Sequence, residues 1–203
     1  MNLEPQTTLT GSIIALVPLE ESHRLELCRV LYDPRIWEHT WLRFASIEEL
    51  EQDFNRALAG QADGTRLPFA IVHRQSGAVI GTTSFGDIDV HNHGIEIGWT
   101  SLSPDYWRTG VNTECKYLLL RYGFEKLNAL RVQFSVSSYN LRSQRAVERL
   151  GAIKEGVLRK HRIEPGGRVH DNVFYSILAE EWSGVKQRLE EKMNRIYEPS
   201  VSE

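Results

Sequence analysis

A chain of 203 residues, 41% apolar and 25% charged, can bury a sizeable core and has a globular rather than a disordered composition. Its formal charge of −3 argues against a nucleic-acid binder, and no run approaches the roughly 20 apolar residues that a membrane-spanning helix needs. Cys28 and Cys115 lie far apart without a C-x-x-C spacing, which argues against a disulfide framework. Because the opening MNLEPQTTLTGS also lacks a signal-peptide pattern, a cytoplasmic protein is expected.

Residues 12–18 (SIIALVP) spell a short apolar strand that Pro18 ends. Ser22 caps a predicted helix through Tyr32, with Leu25, Leu27, Val30 and Leu31 as its apolar members. An aromatic-rich connection, DPRIWEHTWLRF, precedes a second helix that opens on the capping pattern Ser46-x-x-Glu49 and ends near Gly60. PFAIVHR (68–74) and AVIGTTSF (78–85) form a hairpin across Q-S-G, and GIEIGWTSL follows after the loop DIDVHNHG. In that third strand Ile95, Ile97 and Trp99 alternate with Glu96, Gly98 and Thr100, which predicts Glu96 on the face opposite the large apolar residues.

From Val111 to Leu127 the pattern is helical and apolar nearly all round, so the helix should be buried; only a line through Glu114, Arg121, Glu125 and Asn128 reads as wet. RVQFSV (131–136) is a strand, and Asn140–Leu150 a short helix stopped by Gly151. AIKEGVLRKHRI and VHDNVFYSI are two strands joined by the turn E-P-G-G-R, and a charged helix spans Glu180 to Ile196. The order β-α-α-β-β-β-α-β-α-β-β-α predicts a mixed α/β fold in one domain over residues 1–180. The charged helix and tail, 181–203, are part of that domain or appended to it.

The stretch P-D-Y-W-R-T-G-V-N-T-E-C-K-Y-L-L-L (104–120) joins the third strand to the buried helix. A helix start presents unpaired N–H groups, and Gly110 lets the backbone approach a ligand closely. Gly110, Val111, Asn112 and Thr113 would donate, with Arg108 adding charge; the same residues also make an ordinary helix start capped by Asn112 or Thr113. Neither a Gly-Lys-Ser/Thr nor a G-x-G-x-x-G nucleotide signature is present. His91-Asn92-His93 has a metal-like spacing but no third ligand nearby, so no metal is expected. Arg159, Lys160, His161 and Arg162 fall on a strand that divides their charges between two faces.

W-R-T-G-V-N-T-E, N-L-R-S with R-L-G-A ten residues on, and the closing F-Y-S-I-L-x-x-E-W resemble the GNAT superfamily of acyl-CoA N-acetyltransferases, within it the RimJ/RimL-like branch, across about residues 10 to 180. The resemblance implies a mixed, mostly antiparallel central sheet with one splayed parallel strand pair and helices on both faces. It implies acetyl-CoA as donor, its pyrophosphate held at Trp107, Arg108, Thr109, Gly110, Val111, Asn112 and Thr113. Trp107 and Asn112 depart from the family's usual loop, so the central glycine is what matches. The pantetheine arm would lie along Ser101 and Leu102, with Asn140 and Ser143 beside it.

Acetyl transfer to an amine needs a base, a proton for the departing thiolate, and an oxyanion donor. Glu96, directly or through water, is the candidate base, the backbone N–H near Leu102 the oxyanion donor, and Ser143, a bound water or Tyr175 the candidate acid, because the resemblance implies a tyrosine where Val147 stands. Cys28 and Cys115 read as core cysteines, and the resemblance implies direct attack in a ternary complex. Trp37, Trp41, Phe44, Phe85 and Tyr175 are candidate walls for the amine, with Glu38 nearby to attract it. The acceptor is a protein N-terminus or a small amine, and the last helix is a candidate surface for a homodimer. A non-catalytic acyl-CoA-binding or sensor module remains open, as does an α/β interaction protein.

Overall fold

The computed structural model describes residues 6–38, 40, 44, 46–163 and 167–197. Eight strands form one sheet: β1 (Leu9–Thr10), β2 (Ile14–Pro18), β3 (Leu67–His73), β4 (Val79–Asp89), β5 (Gly94–Leu102), β6 (Arg131–Ser137), β7 (Ile153–Ile163) and β8 (Val169–Leu178). Their spatial order is β1-β2-β3-β4-β5-β6-β8-β7, and every neighbouring pair is antiparallel except β5 and β6. The helices are α1 (Arg24–Leu31), α2 (Ile47–Ala62), α3 (Val111–Glu125), α4 (Leu141–Leu150) and α5 (Trp182–Tyr197).

Two apolar clusters cover the two faces, as a half-apolar sheet requires. On one side Leu27, Leu31, Leu50 and Phe54 of α1 and α2 pack with Ala70 and Val79. On the other, α3, α4 and α5 bring Leu118, Leu119, Val147, Leu150, Trp182 and Val185 against Ile71, Phe85, Ile95 and Ile97. Because α3 is apolar nearly all round, it has a second partner besides the sheet: Phe124 stacks on Trp182 of α5 at 5.3 Å. Local chemistry starts and stops these helices. Ser46 Oγ accepts from Glu49 N at α2, Asn140 Oδ1 accepts from Ser143 N at α4, and Gly151, at φ 100°, ends α4.

Three expectations need correction. β1 was not predicted, because two residues are too few for any period; it pairs Leu9 with Leu16. Glu114 was placed on the wet line of its helix but is buried. Its carboxylate accepts from the backbone N–H of Ser12 (2.5 Å), Ile13 (2.8 Å) and Ile14 (2.9 Å), partners about a hundred residues away that a helical wheel does not contain. Gly11 permits the approach, since a Cβ there would fall 2.5 Å from Glu114 Cδ.

The third correction concerns Trp99, expected beside Ile95 and Ile97. The register of β4 on β5 slips between Thr82 and Ser84, and Trp99 adopts φ 50°. This β-bulge inserts a residue and turns the indole to the other face. There it covers Gly86, the cross-strand partner of Glu96; a Cβ on Gly86 would meet the ring at 2.4 Å. Beyond the bulge Thr100 faces α3, where its Oγ1 accepts from the buried Lys116 Nζ at 2.5 Å.

Among the described residues no helix is long and apolar enough to cross a membrane, and no three His, Cys, Asp or Glu side chains gather where they would hold a metal.

Candidate active site

The parallel ladder between β5 and β6 has three pairs, Gly94–Arg131, Ile95–Val132 and Glu96–Gln133. Both strands run on, to Leu102 and Ser137, so they part beyond Glu96 and leave a gap in the sheet. On the β4 side, Ser103 N donates to Ile80 O and Ser101 is the partner of Thr82. By antiparallel alternation Leu102, between them, turns its N–H and C=O toward the gap, while the Ser101 backbone is occupied with β4. The Leu102 carbonyl accepts from Trp107 Nε1 at 2.9 Å. Its N–H has no partner among the described residues and points where an incoming chain would pair with it.

The loop after β5 closes over the end of this gap. Arg108 adopts φ 61°, a left-handed conformation uncommon for a side-chain-bearing residue. Gly110, rather than Asn112 or Thr113, is the N-cap of α3 and makes no side-chain cap bond; just before it, Thr109 Oγ1 donates to Tyr106 O at 2.7 Å and accepts from Val111 N at 3.3 Å. The N–H groups of Asn112 and Thr113 have no protein acceptor among the described residues, and they sit at the positive end of a 15-residue helix. Arg142 of α4 lies over the Trp107 ring, 3.7 Å from its centroid. Burial there, and then the nearby Arg108 charge, pull the Arg142 guanidinium below its ordinary pKa. Neither arginine has a carboxylate partner among the described residues. Two cations facing each other at a helix start are a fit for a polyanion such as the phosphates of coenzyme A. Arg142 lies inside the N-L-R-S motif, yet only the stack on Trp107 gives it a role.

On the far side of the gap Asn140 sits just before α4, its Oδ1 taken by the cap to Ser143 N at 3.0 Å. Ser143 is half-buried, and its hydroxyl has no partner among the described residues. Tyr175 is fully enclosed on the core side of β8, and its hydroxyl donates to Glu148 Oε1 (3.1 Å) and Gln144 Oε1 (3.3 Å) of α4. Burial, then the Glu148 hydrogen bond, push its pKa up to about 12, so the phenol keeps its proton. Tyr175 shares a face with its partner Phe134, and Glu96 lies on the other face with Gln133. The structure does not bring those two candidates together.

Glu96 stands at the point where β5 and β6 separate. It is buried, and its Oε2 accepts from Gln133 Nε2 at 3.1 Å. Burial, reinforced by the Asp87 carboxylate and opposed by the Gln133 bond and the Arg162 charge, raises its pKa to about 7. A carboxyl poised near neutrality can take a proton from an ammonium and pass it on. Around it on this face lie Asp87, Gln133 and, from β7, His161 and Arg162, none of which sequence reasoning placed there. They come from separate strands, and only the sheet order assembles them.

The aromatic candidates divide. Phe85 is fully buried in the α3 core beside Tyr122, and Trp37 is buried too, its Nε1 donating to Leu31 O at 2.7 Å. Phe44, half-buried, meets Trp37 edge-on at 4.7 Å, Glu38 is exposed, and Trp41 lies outside the described residues. Trp99, which was not among the candidates, does open on the Glu96 face. Both cysteines are buried, and burial raises both thiols, as core residues would show.

Comparison with known proteins supports the geometry. Residues 14–153 match the family model described as an acetyltransferase (GNAT) domain. An uncharacterised N-acetyltransferase of Bacillus licheniformis, p20, is 30% identical over 182 residues, covering 87% of this chain and 99% of its own. The crystal structure of a GCN5-related N-acetyltransferase from Brucella melitensis superposes with a TM-score of 0.86 at 28% identity, over 98% of this chain and 90% of that one. A ribosomal-protein-S5-alanine acetyltransferase from Vibrio fischeri shares the fold, with a TM-score of 0.70 at 19% identity over 87% of this chain and 98% of its own. The chain belongs to the GNAT family and is an acetyl-transferring enzyme.

Proposed function

We propose that the enzyme moves the acetyl group of acetyl-CoA to a primary amine by direct attack in a ternary complex. The observation that carries this reading is Glu96, a buried carboxyl with a pKa near 7 at the point where the strands part. Phosphates of the donor lie against Arg108, Arg142 and the N–H groups at the start of α3, Trp107 serving as the support on which Arg142 rests. The pantetheine arm enters the gap, pairs with the Leu102 backbone, and passes Asn140 and Ser143. Glu96, directly or through water, takes a proton from the acceptor's ammonium. The freed amine attacks the thioester carbon, its oxygen gathers charge opposite the Leu102 N–H, and the C–S bond then breaks. The attacking nitrogen then gives up its second proton, which reaches the thiolate through the Ser143 hydroxyl or water, so the amide and the free thiol form and Glu96 releases the ammonium's proton to solvent.

The acceptor is a small amine or a protein N-terminus, the latter suggested by the RimJ/RimL likeness. A free-thiol assay with acetyl-CoA against small amines and N-terminal peptides tests the reading. Thiol release that requires an amine is expected. Coenzyme A binding without release under any amine would instead point to a non-catalytic binding module.

A further inference from the structure

Arg66, just before β3, is a partly buried arginine on the Glu96 face of the sheet. Its Nε donates to Ser84 Oγ at 2.8 Å, and its guanidinium carbon lies 4.8 Å from the centre of the Trp99 ring. Among the described residues it makes no ion pair, and its two terminal nitrogens have no acceptor. Burial pulls its pKa down to about 10, outweighing the more distant charge of Asp53, which is itself paired with Arg56. A desolvated guanidinium with its fork free is costly unless something anionic completes it.

Trp99 supplies the second, independent observation. The ring reaches Arg66 only because the backbone accepts φ 50° at the bulge and residue 86 is glycine. A left-handed conformation at a bulky residue is retained where the surroundings demand it. The indole is also 42% exposed, so the Arg66–Trp99 stack borders solvent.

The stack and Glu96 share one face of the sheet. Arg66 reaches Ser84, Ser84 is the cross-strand partner of Gly98, and Glu96 Oε1 lies 3.2 Å from where a Cβ on Gly98 would be. Two strand spacings, about 10 Å, therefore separate the Arg66 backbone from that of Glu96. Along this span the carboxylates Asp87 and Glu96, with Arg162 beside them, lie at one end and the Arg66 guanidinium at the other. That order complements a compact zwitterion.

We infer that the acceptor carries an anionic oxygen group, a carboxylate or a phosphate, a few bonds from its amine, and that Arg66 on its Trp99 support binds that group while the amine faces Glu96. This rests on the acetyltransferase reading above and narrows its acceptor.

The test is thiol release from acetyl-CoA with matched pairs: α-amino acids against their carboxamides for the carboxylate, and phosphoethanolamine against ethanolamine for the phosphate. At least one anionic member should exceed its neutral partner by tenfold or more in kcat/KM. Arg66→Gln should collapse that ratio to near one through KM, and Arg66→Lys should restore part of it. Neutral members that react as well as anionic ones overturn the inference. So does an Arg66→Gln protein that loses turnover on both members alike, the signature of a structural pin. Silence from both sets, with N-terminal peptides reacting, overturns it while leaving the acetyltransferase reading intact. Silence from every amine and peptide with no thermal shift on adding coenzyme A fails both.

Discussion

A carboxyl of ordinary pKa is ionised at every pH a cell presents and takes up protons poorly. Glu96 differs because burial and the neighbouring Asp87 hold its pKa near 7. As base it must be deprotonated, so log kcat/KM should rise with unit slope below about pH 7 and level off above it. Glu96→Gln should remove that inflection and lower kcat/KM at pH 8 by about 100-fold or more, within the usual range for a general base. Stability carries the opposite trend. A folded-state pKa above the unfolded value means that the native protein holds a proton that the unfolded chain has lost between about pH 4.5 and 7. Native stability therefore declines as pH rises through that window, by at most about 3 kcal/mol for this group. A melting series from pH 5.5 to 8 should show the decline in the parent and a flatter course in Glu96→Gln. Of this site, Glu96 itself was legible from strand alternation. Asp87, Gln133 and Arg162 were not, because they reach it from β4, β6 and β7.

Among the elements, β5 and α3 show where local pattern ends. Alternation holds through Ile97 and fails at Trp99, since a bulge shifts every later side chain to the other face and no period announces it. The apolar run of α3 correctly predicted burial, but two of its charged residues went into the interior for different reasons. Glu114 was drawn in by three backbone donors, so Glu114→Ala should leave those N–H groups unpaired. The expected cost is about 3 kcal/mol or more in chemical denaturation, with Glu114→Gln milder because the amide keeps one acceptor oxygen. Among the described residues Lys116 has only the Thr100 hydroxyl for its ammonium, and burial lowers its pKa. Lys116→Met should therefore be neutral or raise the melting temperature, because Thr83 Oγ1 and Thr100 Oγ1, 2.8 Å apart, still bond each other.

At the scale of the molecule, the succession of strands and helices was readable from hydrophobic period and turn residues, and the parallel β5–β6 pair was implied by the family resemblance. What joins the far parts was not readable. The two arginines beside the proposed donor site come from the β5–α3 loop and from α4, on opposite sides of the gap, and Arg142 rests on the Trp107 indole. If Arg142 faces phosphate, Arg142→Ala should weaken coenzyme A binding about tenfold. It should also make the affinity less steep in salt, as isothermal titration at two ionic strengths would show; unchanged affinity and slope would remove Arg142 from the site.

The Glu114 anchor also makes the fold report on itself. The carboxylate that secures the start of β2 belongs to the first turn of α3, the turn whose free N–H groups face the proposed donor site. Ser12, Ile13 and Ile14 thus keep their amide protons only while that turn is in place. Any ligand that steadies the start of α3 should slow deuterium uptake at those three amides, far from the ligand in sequence and without touching them.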